Sequence, residues 1–270
     1  MRPSPLPEIS ETAAVGTTQA IYGELRRALG VPMVNLVFRH MATVPGCLEW
    51  AWQHLEATYT SIEIHTEARQ LLSDSDLPPR PTIPVTDTIR ATLDAYIRAN
   101  PVNLLGLMLL RVSVTDRKGA FVPRPAIDRS PAAIPEILPM ADLAALPQVD
   151  LARLRRMAQQ LHGADGPVIP SLFRHFTPWP EVLDLFERVL GELSSDGKLD
   201  RMSGRMIGTA QGVARRLFGV PLTDQPPTPE VRECLLDLAE IFPANMAKMT
   251  IVARSVDALI LRGEFRRPPP

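Results

Sequence analysis

Pro32-Met33-Val34-Asn35-Leu36-Val37-Phe38-Arg39-His40 is echoed much later by Pro167-Val168-Ile169-Pro170-Ser171-Leu172-Phe173-Arg174-His175. Both stretches open on proline and close on Phe-Arg-His, and Pro45 and Pro180 follow them at the same distance. The offset is 135 residues each time (175 − 40, 167 − 32, 180 − 45). Further on, Pro101-Val102-Asn103 returns as Pro243-Ala244-Asn245 and Ser113-Val114 as Ser255-Val256. Ile89-Arg90 with Leu93 likewise returns as Val231-Arg232 with Leu235, and these pairs are 142 apart (243 − 101, 255 − 113, 231 − 89). A spacing that drifts in this way describes a duplicated domain whose second copy carries a short insertion. Solenoid repeats are much shorter, about 20–50 residues. Two copies of one fold are expected to pack about a pseudo-two-fold axis, as the subunits of a dimer do. A ligand pocket is then expected between them, because pockets favour domain interfaces.

Working outward from the repeats, the chain divides into a first helical repeat over 1–120, a proline-rich linker over 121–147 and a second helical repeat over 148–270. The spacing of apolar residues predicts helices over Thr17–Leu29, Pro32–Ala42 and Cys47–Leu72, with Gly30 ending the first. Ser73–Pro84 reads as a linker. Thr86-Asp87 opens a helix that Pro101 kinks or restarts, and Val102–Val114 is apolar enough to be central and buried. The second half repeats the order: Asp150–His162, Pro170–Phe176, Glu181–Leu193, Asp200–Leu217, Val231–Ile241 and Asn245–Leu261. No segment sustains the period-two alternation of a half-buried strand. The fold class is all-α, internally duplicated, with two pseudo-two-fold-related halves.

A net charge of −1 creates no field that would gather nucleic acid or acidic lipid. The N-terminus lacks an apolar signal core, and no apolar run approaches a membrane span. Cys47 and Cys234 occupy non-equivalent places and form no metal spacing, which suits a reducing cytoplasm. A cytoplasmic protein without membrane or nucleic-acid partners is expected, and a homodimer is compatible with the sequence. There is no phosphate loop, dinucleotide fingerprint or HExxH motif. No metal and no cofactor are expected.

Candidate chemistry therefore rests on the repeated segments. His40 and His175 would meet in one site if their helices met at the axis; otherwise each Arg-His pair satisfies local carbonyls and acids. Ser171 lies four residues before His175, on one helical face, so a Ser–His pair can be written. Asn100, before Pro101, has an amide that could hold a small ligand or cap a helix. Lys248, among apolar neighbours, would pair with a substrate carboxylate or snorkel to the surface.

The run Val31-Pro32, Ala42-Thr43-Val44-Pro45-Gly46, Ala51-Trp52, Asn100-Pro101, Gly166-Pro167 and Trp179-Pro180-Glu181-Val182-Leu183 resembles the group I 2-haloacid dehalogenases, the DehI family. That resemblance implies an all-helical, internally duplicated fold and hydrolytic removal of halide from small 2-haloalkanoic acids. In the family an aspartate activates water for direct attack, without a covalent ester or a cofactor. Counting back from Trp179-Pro180, the aspartate's position holds Leu172 here, beside a retained Ser171. Asn100 matches the asparagine that holds water or substrate, and Met33 and Leu36 stand at two aromatic pocket positions. The expected catalytic residues are thus His175, Ser171 and Asn100. The expected binding residues are Met33, Leu36, Leu172, His40 and Lys248, facing a small carboxylic acid. Because a leucine cannot accept a proton, the rival expectation is a non-catalytic binding or sensing protein on the same scaffold.

Overall fold

Two long helices form the axis of the molecule. The computed structural model describes residues 6–72, 83–115, 134–163, 169–217 and 226–261. In chain order the described elements are α1 (Gly16–Leu29), α2 (Leu36–Met41), α3 (Cys47–Tyr59), α4 (Ile62–Gln70), β1 (Ile83–Pro84), α5 (Asp87–Thr115) and α6 (Gln148–His162). They continue with α7 (Ser171–His175), α8 (Pro180–Ser194), α9 (Lys198–Leu217), α10 (Pro229–Asp257) and β2 (Ile260–Leu261). The architecture is all-α. Its only extended pairing among the described residues is the two-residue parallel match of Ile83 with Ile260 and Pro84 with Leu261.

α5 and α10 pack on each other more extensively than any other helix pair. Both are 29 residues long and both carry a proline inside, Pro101 and Pro243. Each proline therefore stands fifteenth in its helix. Arg90, at the start of α5, donates to the Ile260 carbonyl (3.0 Å) and pairs with Asp257 at 3.2 Å. Arg232, at the start of α10, donates to the Val114 carbonyl at 3.3 Å. Each helix thus grips the far end of the other, so the two run antiparallel.

The sequence reading kinks or restarts the first of these helices at Pro101 and divides the second around Pro243, whereas in the structure each is one continuous helix. An interior proline forfeits one backbone hydrogen bond and crowds the preceding turn. Here the loss falls where α5 is buried on every side from Ala99 to Leu110, so packing holds the helix through it. Val231–Ile241 and Asn245–Leu261 are accordingly one helix, followed by a short strand. Two other boundaries also move. α2 begins at Leu36 rather than Pro32, because Asn35 is the better cap and its Oδ1 accepts from Val37 N at 3.1 Å. The predicted helix over Cys47–Leu72 is two helices, since the Ser61 side chain caps α4. Residues 73–82 of the first predicted linker and 121–133 of the proline-rich linker lie outside the described residues.

There are two apolar cores, and each draws on both halves of the sequence. One gathers α1–α4, the later part of α5 and the first half of α10. The other gathers α6–α8, the early part of α5 and the second half of α10. Cys47 and Cys234, 187 residues apart, meet in the first core with their sulfurs 3.6 Å apart, as free thiols. Burial and donation to Cys234 keep the Cys47 thiol protonated. No described helix is long and apolar enough to cross a membrane.

Candidate functional site

The two Phe-Arg-His segments are anchored in matching ways. The Arg39 carbonyl accepts from Ile9 N at 3.0 Å, and the Arg174 carbonyl from Ala141 N at 3.3 Å. His40 Nδ1 lies 2.7 Å from the Pro7 carbonyl, and His175 Nδ1 lies 2.6 Å from the Leu138 carbonyl. An extended segment therefore crosses the end of each short helix and fixes its histidine. Pro7 is held by this contact.

A cavity of about 480 Å³ lies where α2, α5, α7 and α10 converge. Of the sequence-predicted residues, Met33, Leu36, Asn100, Ser171, Leu172 and His175 line it. His40 and Lys248 do not. His40 is bound to Pro7 on the outer side of α2. Lys248 Nζ donates to the Leu161 carbonyl at 2.9 Å and pairs with Asp200 at 2.6 Å, which ties α10 to the ends of α6 and α9. The two histidines of the repeat do not meet, and the written Ser–His pair is not formed. The Ser171 hydroxyl is engaged by Tyr96, which also stacks edge-on against His175 with ring centroids 5.7 Å apart.

Sequence reasoning missed Arg39, Asn35, Glu11, Tyr96 and His162, all of which line the cavity. Arg39 is the most consequential. It is 5% exposed, a charge placed among apolar walls. Its Nε lies 3.2 Å from Glu8 Oε2, close enough for an ion pair. Its N–H direction misses that oxygen, so the donor is left without a hydrogen bond. A signal was available, since Arg39 stands inside the repeated triplet. The others are gathered by tertiary packing alone. Asn35 Nδ2 donates to Asn100 Oδ1 at 3.1 Å, which fixes the Asn100 amide across the junction of α2 and α5. Glu11, the one carboxylate in the lining, accepts from Arg26 Nη1 (3.0 Å) and Val34 N (2.9 Å), one bond on each oxygen.

Burial sets the charge state of the cavity. It lowers the pKa of His175, assisted by the Arg174 and Arg39 charges and opposed by the Leu138 carbonyl. Because that carbonyl can only accept, Nδ1 carries the proton and Nε2 keeps its lone pair. Burial likewise pushes His162 down to about 4, with Lys248 adding to the effect. Near neutral pH, Arg39 is the fixed positive charge of the lining. Among the described residues no group of three or more His, Cys, Asp or Glu is placed to hold a metal ion.

The His162 shift has a measurable consequence. Its folded pKa lies below the unfolded value of 6.5, so the unfolded chain binds the extra proton between the two. The contribution is complete above the unfolded pKa and is lost as pH falls towards about 4. The full shift corresponds to about 3 kcal/mol, and solvent screening at this partly open site reduces it to about 2 kcal/mol. His162→Asn is expected to flatten the fall in melting temperature between these pH values. An equally steep fall in the variant would remove His162 from the account.

No family model matches the chain. A configuration-inverting 2-haloacid dehalogenase of Alcaligenes xylosoxydans xylosoxydans is 26% identical over 237 residues, spanning 80% of this chain and 79% of the relative. This similarity runs over most of both chains. Solved structures share the fold at 16% identity. A D-2-haloacid dehalogenase mutant gives a TM-score of 0.66, covering 96% of this chain and 99% of its own. A complex of such a mutant with D-2-CPA gives 0.62 over 97% and 99%. A complex of D-2-haloacid dehalogenase with L-LA gives 0.61 over 95% and 99%. The residues that the resemblance singled out on α2, α5 and α7 share one cavity.

Proposed function

We propose that this DehI-like protein binds a small carboxylic acid in the cavity, with the carboxylate against Arg39, on a duplicated scaffold. Equal helix lengths, equal proline positions and reciprocal arginine grips support the duplication. One observation carries the ligand class: a buried guanidinium, ion-paired through Nε with Glu8, lines an otherwise largely apolar cavity. A ligand carboxylate adds a second charged partner beside Glu8, and the low local dielectric strengthens the pairing. The amide nitrogen of Asn100, the end that Asn35 does not use, is available for a second contact.

The family's reaction does not transfer intact. At the position inferred for the water-activating aspartate stands Leu172, which is wholly buried. Glu11 has both oxygens engaged and is a brace rather than a base. His175 is the remaining proton acceptor, since its neutral imidazole offers Nε2. Hydrolysis on this site would have Nε2 take a proton from water. The oxygen would then attack C2, and the halide would leave with the electrons of the broken bond. The same features equally serve a binding protein that performs no reaction, and Leu172 favours that second reading.

Titration calorimetry with 2-chloropropionate, together with a halide-release assay, tests the proposal. Binding of both enantiomers is expected, with little or no halide released. Arg39→Met is expected to weaken binding about tenfold to a hundredfold, the worth of a charged hydrogen bond. Equal affinity in wild type and variant would remove the carboxylate from Arg39. Fast halide release that survives His175→Gln would show that another base reaches the cavity.

A further inference from the structure

We propose that the acid taken by this cavity carries an aliphatic tail, with a total length of about six to eight carbons. The inference rests on the carboxylate-binding reading above and adds the shape of the rest of the ligand.

Three observations lead to it. The cavity, at about 480 Å³, falls within the range of pockets that enclose drug-sized ligands, roughly 300–1,000 Å³. A three-carbon acid has only five non-hydrogen atoms and would leave much of that space to water lying against apolar walls. The walls themselves are soft. Met33, Met140, Met246 and Met249 all line the cavity, and unbranched thioether chains adapt to tails of varied shape. Finally, four polar side chains of the lining, Arg39, Tyr96, Ser171 and His175, are grouped together. Tyr96 is coupled electrostatically to Arg39, hydrogen-bonded to Ser171 and stacked on His175, which defines a head-group end. Elsewhere the lining includes Ile241, a large apolar side chain 47% exposed at the rim, where a tail can run towards solvent.

Calorimetry on the full chain with propanoate, hexanoate, octanoate and octanamide separates the outcomes. Each added methylene is expected to tighten binding about three- to fourfold until the tail reaches the rim. Octanamide, which lacks the charge, is expected to bind at least about tenfold more weakly than octanoate. Tightest binding for propanoate would overturn the tail and leave the carboxylate reading standing. Octanamide binding as tightly as octanoate would overturn the carboxylate reading itself. Absence of binding by every acid would overturn both. Met140→Trp, at a half-buried position outside the helices, narrows the cavity with little risk to folding. It is expected to weaken octanoate about tenfold and to leave propanoate within about twofold. An equal loss for both acids would count against the tail.

Discussion

Gly106→Ala is expected to destabilise the protein by about 2–3 kcal/mol net and to lower its melting temperature by on the order of 5–10 °C. A methyl group at this position would lie 2.2 Å from Tyr59 Oη, 2.7 Å from Cε2 and 2.8 Å from Cζ. All three distances are impossible without movement, and the ring has nowhere to go. Tyr59 is fully buried, donates to Asn103 Oδ1 at 3.3 Å, and sits edge-on to Phe38 and Trp52 with centroids 6.2 and 5.9 Å away. Alanine's better helix propensity returns about 1 kcal/mol, which is too little to offset the overpacking. Asn103 and Gly106 share a face of α5, so the alanine disturbs the seam between α3 and α5 and the tyrosine's hydrogen bond together. Tyr59→Leu should make the alanine tolerable, and the double variant should be more stable than the sum of the two losses by more than about 1 kcal/mol. Additive losses would mean that Tyr59 does not lie over Gly106.

The helical class and several segments that build the cavity were legible in the sequence. The constant offset marked Phe38-Arg39-His40 and Phe173-Arg174-His175, Asn100 and Ser171 were read from their places beside recurring residues, and Met33, Leu36 and Leu172 came from the family resemblance. Proline misled the reading because its rule is local. It describes an exposed helix, whereas α5 and α10 are held by packing along their whole length. Lys248 misled it for a related reason. It shares α10 with cavity-lining Asn245 and Met249, but its side chain turns to Leu161 and Asp200. Glu11, Tyr96 and His162 reach the cavity from separate elements with no common spacing, and no periodicity can gather them. The same is true of Cys47 and Cys234, which meet only because the first half of α10 enters the core built by α1–α4.

Leu172→Asp is expected to yield a folded protein, less stable by on the order of 2–4 kcal/mol, with at most weak halide release from 2-chloropropionate. Leu172 is 0% exposed and packs in the core built by α6–α8, the early part of α5 and the second half of α10, while lining the cavity. The substitution removes apolar contacts on one side and buries a carboxylate on the other. Desolvation raises the new carboxyl's pKa, and the buried Arg39 of the same cavity opposes that rise, so the group is expected to ionise near neutral pH. An ionised carboxylate beside Ser171 can take a proton from water, but it also competes with the substrate for Arg39, and this keeps the gain small. Leu172→Asn is the necessary control. It loses the same packing and cannot accept a proton, so it should match the aspartate variant in melting temperature and release no halide. Any activity that the aspartate confers should rise with pH through the new pKa, since the base acts only when ionised. An unchanged melting temperature would mean that position 172 is not packed as described. Activity close to that of a working dehalogenase would show that the cavity had kept everything except the base. Equal activity in the aspartate and asparagine variants would return the proton-accepting role to His175.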